Sequence, residues 1–238
     1  MGKRQDRVAR AVLASAVLLL LTGLATAGTV AWTWWGRTRE INAAQQRLSR
    51  QWPAGVAQPA AAVPRMAGPG RAAVAAPAPV TMPFGALAEE PHSGPAVPLA
   101  RLHLPTLGID LVVVDGADDA ALRLGPGHIP GTAPIGAAGN TGIAGARYPG
   151  VFWALNRLRV GDPVVLETGD TWLVYRVVEA RVVRPEEAGV LGPPPPGSSP
   201  LLTLVTCEPR LSTARRLIRQ ATLVRRDPHA GPRPAELA

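Results

Sequence analysis

Residues 202–207 read Leu-Thr-Leu-Val-Thr-Cys, a short run of apolar and β-branched side chains. Such a run, bounded by turn-forming residues, predicts a buried strand. Glu208, Pro209 and Arg210 follow, so Cys207, the only cysteine of the chain, lies where the strand meets a loop. The end of a rigid strand fixes a nucleophile and leaves it accessible. A buried, unreactive cysteine is the alternative, and position alone leaves both open.

A second β-like run begins at residues 215–218, which read Arg-Arg-Leu-Ile, and extends to about Val224. The short turn-prone loop between the two runs suits adjacent antiparallel strands. This pairing would bring the guanidinium of Arg216 near the sulfur of Cys207. A neighbouring cation favours the thiolate, and a guanidinium can also bind a developing oxyanion. The two residues are therefore candidates for one reactive site.

Several motifs resemble one known family. Residues 203–207 resemble the TLxTC signature of sortases, the membrane-anchored cysteine transpeptidases, and residues 215–218 are similar to the strand that carries their active-site arginine. Three upstream segments resemble, in the same order, segments of class D and class E sortases: residues 107–110, 125–128 and 139–145. The resemblance covers about residues 99–226, and the choice between the two classes stays open.

The resemblance implies an all-β fold, the sortase-type closed β-barrel of about eight strands with short helices. The many short β-like runs separated by turn signals favour the same class. Residues 168–170, Thr-Gly-Asp, indicate a hairpin turn between two of these runs.

One position departs from the family pattern. Sortases of this type continue from Ala-Gly into the catalytic histidine and usually an arginine, whereas this chain reads Ala144-Gly145-Ala146-Arg147. Ala146 therefore occupies the histidine position. A methyl group cannot transfer a proton, and loss of a general acid/base typically costs ~10²–10⁴-fold in rate.

The resemblance implies a role for each candidate site residue. The Cys207 thiolate attacks the threonine carbonyl of an LPxTG-like sorting motif and forms a thioester, which an amine of a cell-wall precursor or a pilin-like protein resolves. Arg216 positions the substrate and stabilises the oxyanion, and Thr206 lines the groove. His128 belongs to the ordinary family pattern, so it is an accessory residue and not a replacement. Arg147 is expected to bind substrate or a carboxylate.

Three interpretations stay open. The first is an active but unusual cysteine transpeptidase or hydrolase, with turnover impaired because Ala146 replaces the histidine. The second is a catalytically dead protein of the same fold that binds sorting peptides or cell-wall components. The third is an anchored structural domain, against which the unbroken pair of Cys207 and Arg216 counts. The sequence does not tell whether Ala146 is natural or a laboratory change.

Composition excludes several other classes of function. The 238-residue chain has a net charge of +8 and a pI near 11.2. Its cationic side chains are scattered arginines apart from Lys3, and aromatic residues are scarce in the folded part, which argues against nucleic acid as a partner. One cysteine excludes an internal disulfide, and four histidines without ligand spacing give no reason to expect a metal or cofactor.

The N-terminus has the pattern of a membrane anchor. A basic segment, residues 1–10, precedes an uncharged apolar run over residues 11–35. A helix of this length exceeds the ~30 Å hydrocarbon core, and the basic end is expected to stay cytoplasmic, with the C-terminal domain outside. The alternative is a cleaved signal peptide, because Ala25-Thr26-Ala27 fits a cleavage site. The apolar run continues past that site, which favours the anchor.

The remaining segments are predicted to be less structured. Residues 36–98 comprise a juxtamembrane segment, helical over residues 39–51 with Ile41, Ala44 and Leu48 on one side, and an Ala/Pro/Gly-rich spacer that contains a solvated His92. Residues 99–226 form the folded domain. Residues 227–238 are predicted to be a disordered tail in which His229 is idle.

Overall fold

The computed structural model of the chain describes residues 2–52, 97–210 and 212–238. The predicted spacer between residues 53 and 96, with His92, lies outside the described residues. The chain divides into two compact units, Met1–Glu40 and Ile41–Ala238. The first unit is the N-terminal part of one long helix, α1 (Gly2–Gln51), whose C-terminal turns belong to the second unit.

The second unit is a closed barrel of eight strands in the order β1-β2-β3-β4-β7-β8-β6-β5. The strands are β1 (Pro98–Leu104), β2 (Ile109–Asp115), β3 (Gly127–His128), β4 (Asn140–Ala144), β5 (Pro163–Glu167), β6 (Thr171–Val183), β7 (Leu201–Glu208) and β8 (Arg215–Pro228). One short helix, α2 (Asp119–Leu122), and 3₁₀ turns at Pro105–Leu107, Leu155–Arg157, Ala188–Leu191 and Ala235–Leu237 complete it. The predicted fold class, an all-β barrel with short helices, is confirmed.

Alternation along the strands separates two sides of the barrel wall. One large apolar cluster, to which all the longer strands contribute, fills the barrel interior. It contains Leu202 and Leu204 of β7. Val205, one residue further on, belongs to a smaller cluster that includes Val190, Leu191 and Ile218 and covers the outer side. Because side chains two residues apart share a face, this alternation fixes the side on which residues 206 and 207 lie.

The predicted membrane anchor requires a long apolar helix near the N-terminus. Among the residues that the structure describes, no helix combines the length and the apolar character that crossing a membrane requires. The predicted transmembrane span over residues 11–35 is therefore not shown.

The C-terminal turns of α1 form part of the barrel unit. Ile41, Ala44 and Leu48 are buried, as their predicted common side requires. Trp52 packs against the small cluster formed by Leu48, Val112, Val114 and Ala121. Just before β1, the carbonyl of Val97 accepts from the amide of Asp115 at 2.9 Å.

The C-terminal residues lie on the barrel. β8 continues to Pro228, and residues after it pack on the barrel instead of forming a disordered tail. Glu236 pairs with Arg225 at 2.9 Å and with Arg176 at 3.3 Å, and Leu237 packs against Val165, Trp172 and Val174. The Pro/Ala/Gly composition suggested disorder, but a few specific contacts fix the segment.

Candidate active site

Cys207 and Arg216 are direct partners in the antiparallel register of β7 and β8. Directly opposed residues of an antiparallel pair project to the same side of the sheet, with Cβ atoms about 4.5–5.5 Å apart. The predicted strand pairing is therefore observed. Cys207 is partly exposed.

Both residues lie on the outer side of the barrel wall. Cys207 continues the row of Val205, and Arg216 that of Ile218, which are members of the outer cluster. One guanidinium nitrogen of Arg216, Nη1, donates to the carbonyls of Thr213 at 2.9 Å and Arg215 at 3.1 Å. These bonds tie the side chain to the loop between the two strands and restrict its position.

Ala146 lies beside the end of β7 that carries the cysteine. β4 and β7 are parallel, and Ala144 is paired with Val205. β4 ends at Ala144, and the amide of Gly145 donates to the carbonyl of Val205 at 3.0 Å. The carbonyl of Gly145 accepts from the Thr206 hydroxyl, and Arg147 pairs with Glu208. Residue 146 therefore lies between two attachments to β7 that bracket Cys207 in the sequence.

Thr206 does not take the place predicted for it. It is adjacent to Cys207 in a strand and so points to the opposite side, where it is 3% exposed. Its hydroxyl donates to the carbonyl of Gly145 at 2.7 Å. Instead of lining a groove, Thr206 fastens the segment that precedes Ala146 to β7.

His128 also faces away from the thiol. It is the register partner of Ile143, which belongs to the interior cluster, whereas its neighbour Gly127 is paired with Ala144 on the outer side. Its Nε2 lies 3.1 Å from the carbonyl oxygen of Ala133 and 3.2 Å from Oγ1 of Thr132. His128, at the end of β3, is therefore hydrogen-bonded to the loop that follows it, on the interior side of the barrel wall. This position does not favour His128 as a substitute for the missing acid/base.

Arg147 contacts a carboxylate, one of the two partners anticipated for it. Its side chain is only 5% exposed, and Nη2 lies 3.1 Å from Oε2 of Glu208, the residue after Cys207. Nη2 also donates to Oδ1 of Asn156 at 3.2 Å, and Nη1 to the carbonyl of Phe152 at 3.4 Å. Burial lowers the pKa of the Arg147 guanidinium, and the charge of Glu208 opposes that shift. The ion pair ties the Ala146 loop to the strand end at Cys207.

Two more arginines contact residues 153–158, which follow the Ala146 loop in the chain. Arg219, also buried, donates from Nε to the carbonyl of Leu158 at 2.6 Å and from Nη2 to the carbonyl of Asn156 at 2.9 Å. The guanidinium carbon of Arg210 lies 4.1 Å from the ring centroid of Trp153, within the range of a cation–π contact. Sequence reasoning missed Glu208, Asn156 and Arg219. Glu208 and Arg219 directly follow the motifs at residues 203–207 and 215–218, but nothing in the pattern marks them, and Asn156 lies far from any motif.

Comparison with known proteins agrees with this architecture. Residues 102–224, more than half of the chain, match the model of the Sortase domain family. The chain, with its closed barrel and its strand-end thiol, belongs to the sortase family.

Its relatives include class E enzymes. The chain is 31% identical to sortase SrtE1 of Streptomyces coelicolor over 163 residues, which cover 62% of this chain and 45% of that protein, less than half its length. The crystal structure of sortase E1 from the same organism, with a tripeptide in its active site, superposes with a TM-score of 0.55 at 30% identity, covering 59% of this chain and 96% of that one. Sortase E from Streptomyces avermitilis gives 0.54 at 34% identity, with coverages of 59% and 97%.

A second cluster of titratable groups lies elsewhere on the barrel. The carboxylate of Glu167 is hydrogen-bonded to two histidines. Its Oε2 lies 3.2 Å from Nε2 of His103, and its Oε1 lies 3.0 Å from Nε2 of His229. His229, predicted to be idle, is stacked on Trp172 with ring centroids 4.8 Å apart. Desolvation raises the pKa of the Glu167 carboxyl, but the bonds and charges of the two histidines outweigh it, so the pKa is lowered from its ordinary value.

This lowered pKa predicts a stability effect in acid. A carboxyl whose pKa is lower in the folded state stabilises the fold above its unfolded-state pKa of ~4.3 and loses that contribution as the pH falls through the folded value. Glu167→Gln should therefore flatten the decline in unfolding free energy between about pH 5 and 3, and cost about 1 kcal/mol at pH 7. Urea unfolding at graded pH measures both. Glu186→Gln, at an exposed position, is the control, and equal acid profiles for the two variants would contradict the assignment.

Proposed function

We propose that this sortase acts as a cysteine transpeptidase, or as a hydrolase when water replaces the amine, on a sorting-motif peptide of the LPxTG type. The Cys207 thiolate attacks the threonine carbonyl carbon, a C–S bond forms, and the peptide C–N bond breaks as the departing amine gains a proton. An acceptor amine then attacks the thioester, forming a new C–N bond and releasing the thiolate. The observation that carries the proposal is the direct register pairing of Cys207 with Arg216.

Arg216 is assigned to the charge that develops on the carbonyl oxygen. A guanidinium near a tetrahedral intermediate stabilises the oxyanion best when the guanidinium is already in position and does not have to reorganise. The two backbone carbonyls that Arg216 contacts limit that reorganisation.

We propose that turnover is slow because Ala146 supplies no acid or base. Water or the substrate's own amine must then exchange the protons, which is slower than transfer through a positioned side chain. The second candidate function is binding of a sorting peptide or a cell-wall component without turnover. The observation that favours it is the methyl group of Ala146 where the family pattern has a proton-transferring side chain.

Membrane attachment and the partners belong to the same proposal. The basic residues 1–10 and the apolar residues 11–35 support a single-pass anchor with a cytoplasmic N-terminus and an extracytoplasmic barrel. The partners are then a surface protein that carries the motif and a cell-wall or pilin-like amine.

A fluorogenic sorting peptide tests the proposal with the purified full chain. We expect slow cleavage that oligoglycine accelerates, that disappears in Cys207→Ala, and that falls by at least about tenfold in Arg216→Met, since loss of one oxyanion donor typically costs ~10²–10³-fold. Cleavage that persists in Cys207→Ala would contradict a thioester. Peptide binding by fluorescence anisotropy without any cleavage would favour the second candidate.

A further inference from the structure

One glutamine of α1 is inserted into the wall of the barrel. Gln45 is 7% exposed, and both ends of its amide have partners on the barrel. Its Nε2 donates to the carbonyls of Val112 at 3.1 Å and Leu124 at 2.7 Å, and its Oε1 accepts from the amide of Val112 at 2.7 Å. The side chain bonds both peptide groups of Val112 as a neighbouring strand would.

The strand pairing explains why this place needs a side-chain amide. β2 is paired with β1 along its length, but on its other edge β3 is only two residues long and reaches Val114 and Asp115. Val112 lies beyond that short partner, and buried backbone groups without a partner are costly. Gln45 fills this gap in the barrel wall.

The opposing loop is shaped to admit the glutamine. Gly125 has φ of +156°, and a Cβ at that residue would lie 2.1 Å from Nε2 of Gln45. Any side chain at residue 125 would therefore displace the amide. Gly125 opens one of the segments that resemble the sortase pattern, and this contact gives it a physical role in this chain.

The same helical turns also contact the loop beside the thiol. Ile41 is buried in the interior cluster with Val151 and Phe152. The Oδ1 of Asn42 lies 3.6 Å from the position of a Cβ on Gly150.

That loop carries Ala146 and Arg147. The amide of Phe152 donates to the carbonyl of Ala146 at 3.2 Å, and its carbonyl accepts from Arg147. The C-terminal turns of α1 thus lie next to the segment that also carries Arg147, which is paired with Glu208, the residue after Cys207.

We propose that Gln45 is a positioning residue for the active site: by locking the end of α1 into the edge of β2, it holds residues 146–152 against the strand end that carries Cys207. The unit required for function then includes the C-terminal turns of α1, from Ile41, as well as the barrel. The catalytic consequence rests on the proposed transpeptidase function, but the positioning itself does not.

Two neighbouring glutamines provide a matched test in the full chain. Gln45→Leu removes all three hydrogen bonds, whereas Gln46→Leu makes the same change at an exposed position. Hydrogen exchange is measured over residues 112–125 and 146–152, together with the pH dependence of Cys207 alkylation by iodoacetamide. We expect Gln45→Leu to accelerate exchange in both segments by at least about tenfold and to change the alkylation profile, and Gln46→Leu to do neither.

Peptide turnover is measured in parallel. If the wild-type chain cleaves the peptide, Gln45→Leu should lower kcat by about tenfold or more and affect KM less. If the wild-type chain does not cleave it, the proposed function fails, and the exchange and alkylation measurements still decide the positioning role. Faster exchange confined to residues 112–125, with 146–152 and the alkylation profile unchanged, overturns the proposal. Should Gln45→Leu not fold, Gln45→Glu is used, which keeps the acceptor for Val112 and loses both donors.

Discussion

Ala146→His is expected to accelerate cleavage of a sorting-motif peptide by about 10²–10⁴-fold, the usual contribution of one general acid/base. Gly145 is hydrogen-bonded to Val205 and Thr206, and the next residue but one, Arg147, is paired with Glu208. Residue 146 thus lies between attachments that bracket Cys207. We expect an imidazole there to take the thiol proton, give it to the departing amine and later remove one from the acceptor. The measurement is kcat/KM with a fluorogenic peptide.

The pH dependence distinguishes proton transfer from a steric effect. The histidine variant should acquire a bell-shaped profile, because one ionisation forms the thiolate and another removes the imidazole proton. Ala146→Gln is the matched control, since its side chain is of similar length, forms hydrogen bonds and does not titrate. Equal turnover in the alanine and histidine proteins, or equal gains from glutamine and histidine, would exclude the missing proton carrier as the cause of slow turnover.

The alkylation rate of the thiol gives a second measure that needs no substrate. An imidazolium beside the sulfur stabilises the thiolate, so Ala146→His should lower the pH at which Cys207 reacts with iodoacetamide. An unchanged alkylation profile in Ala146→His would mean that residue 146 does not lie beside the sulfur.

The strand-end thiol and its arginine could be predicted because the signals are local. Residues 202–207 and 215–224 each have strand composition, and the loop between them is too short for anything but an antiparallel connection. Alternation along the strand also predicts that Thr206 faces away from Cys207.

The contacts that brace the site could not be predicted, because they join residues far apart in the chain. Gln45 and Val112 are separated by 67 positions, and nothing in the pattern distinguishes Gln45 from Gln46 beyond the helical face it shares with Ile41 and Leu48. The C-terminal segment is a similar case. Its composition is that of a disordered tail, yet His229 and Glu236 each have ionic partners on the barrel.

Arg147→Met is expected to destabilise the protein by about 3 kcal/mol, the lower end of the range for breaking a buried ion pair. The guanidinium is almost fully buried, whereas the carboxylate of Glu208 is 29% exposed and can recover part of its hydration. The change also removes the donors to Asn156 and to Phe152, so the loop that carries Ala146 loses its main polar attachment. Urea unfolding measures the loss.

A double-mutant cycle of Arg147→Met and Glu208→Gln separates the energy of the ion pair from that of the other contacts of each residue. Glu208→Gln alone should cost about 1 kcal/mol, because Arg147 keeps its other two partners. In Arg147→Met/Glu208→Gln the uncompensated carboxylate is gone, so the double variant should be more stable than the sum of the single losses predicts, by about 1–3 kcal/mol. The exposed pair of Arg181 and Glu179, 3.2 Å apart, provides the reference cycle and should give a coupling below about 1 kcal/mol. A coupling for Arg147 and Glu208 no larger than that of the surface pair would mean that the ion pair does not fasten the Ala146 loop to the strand end.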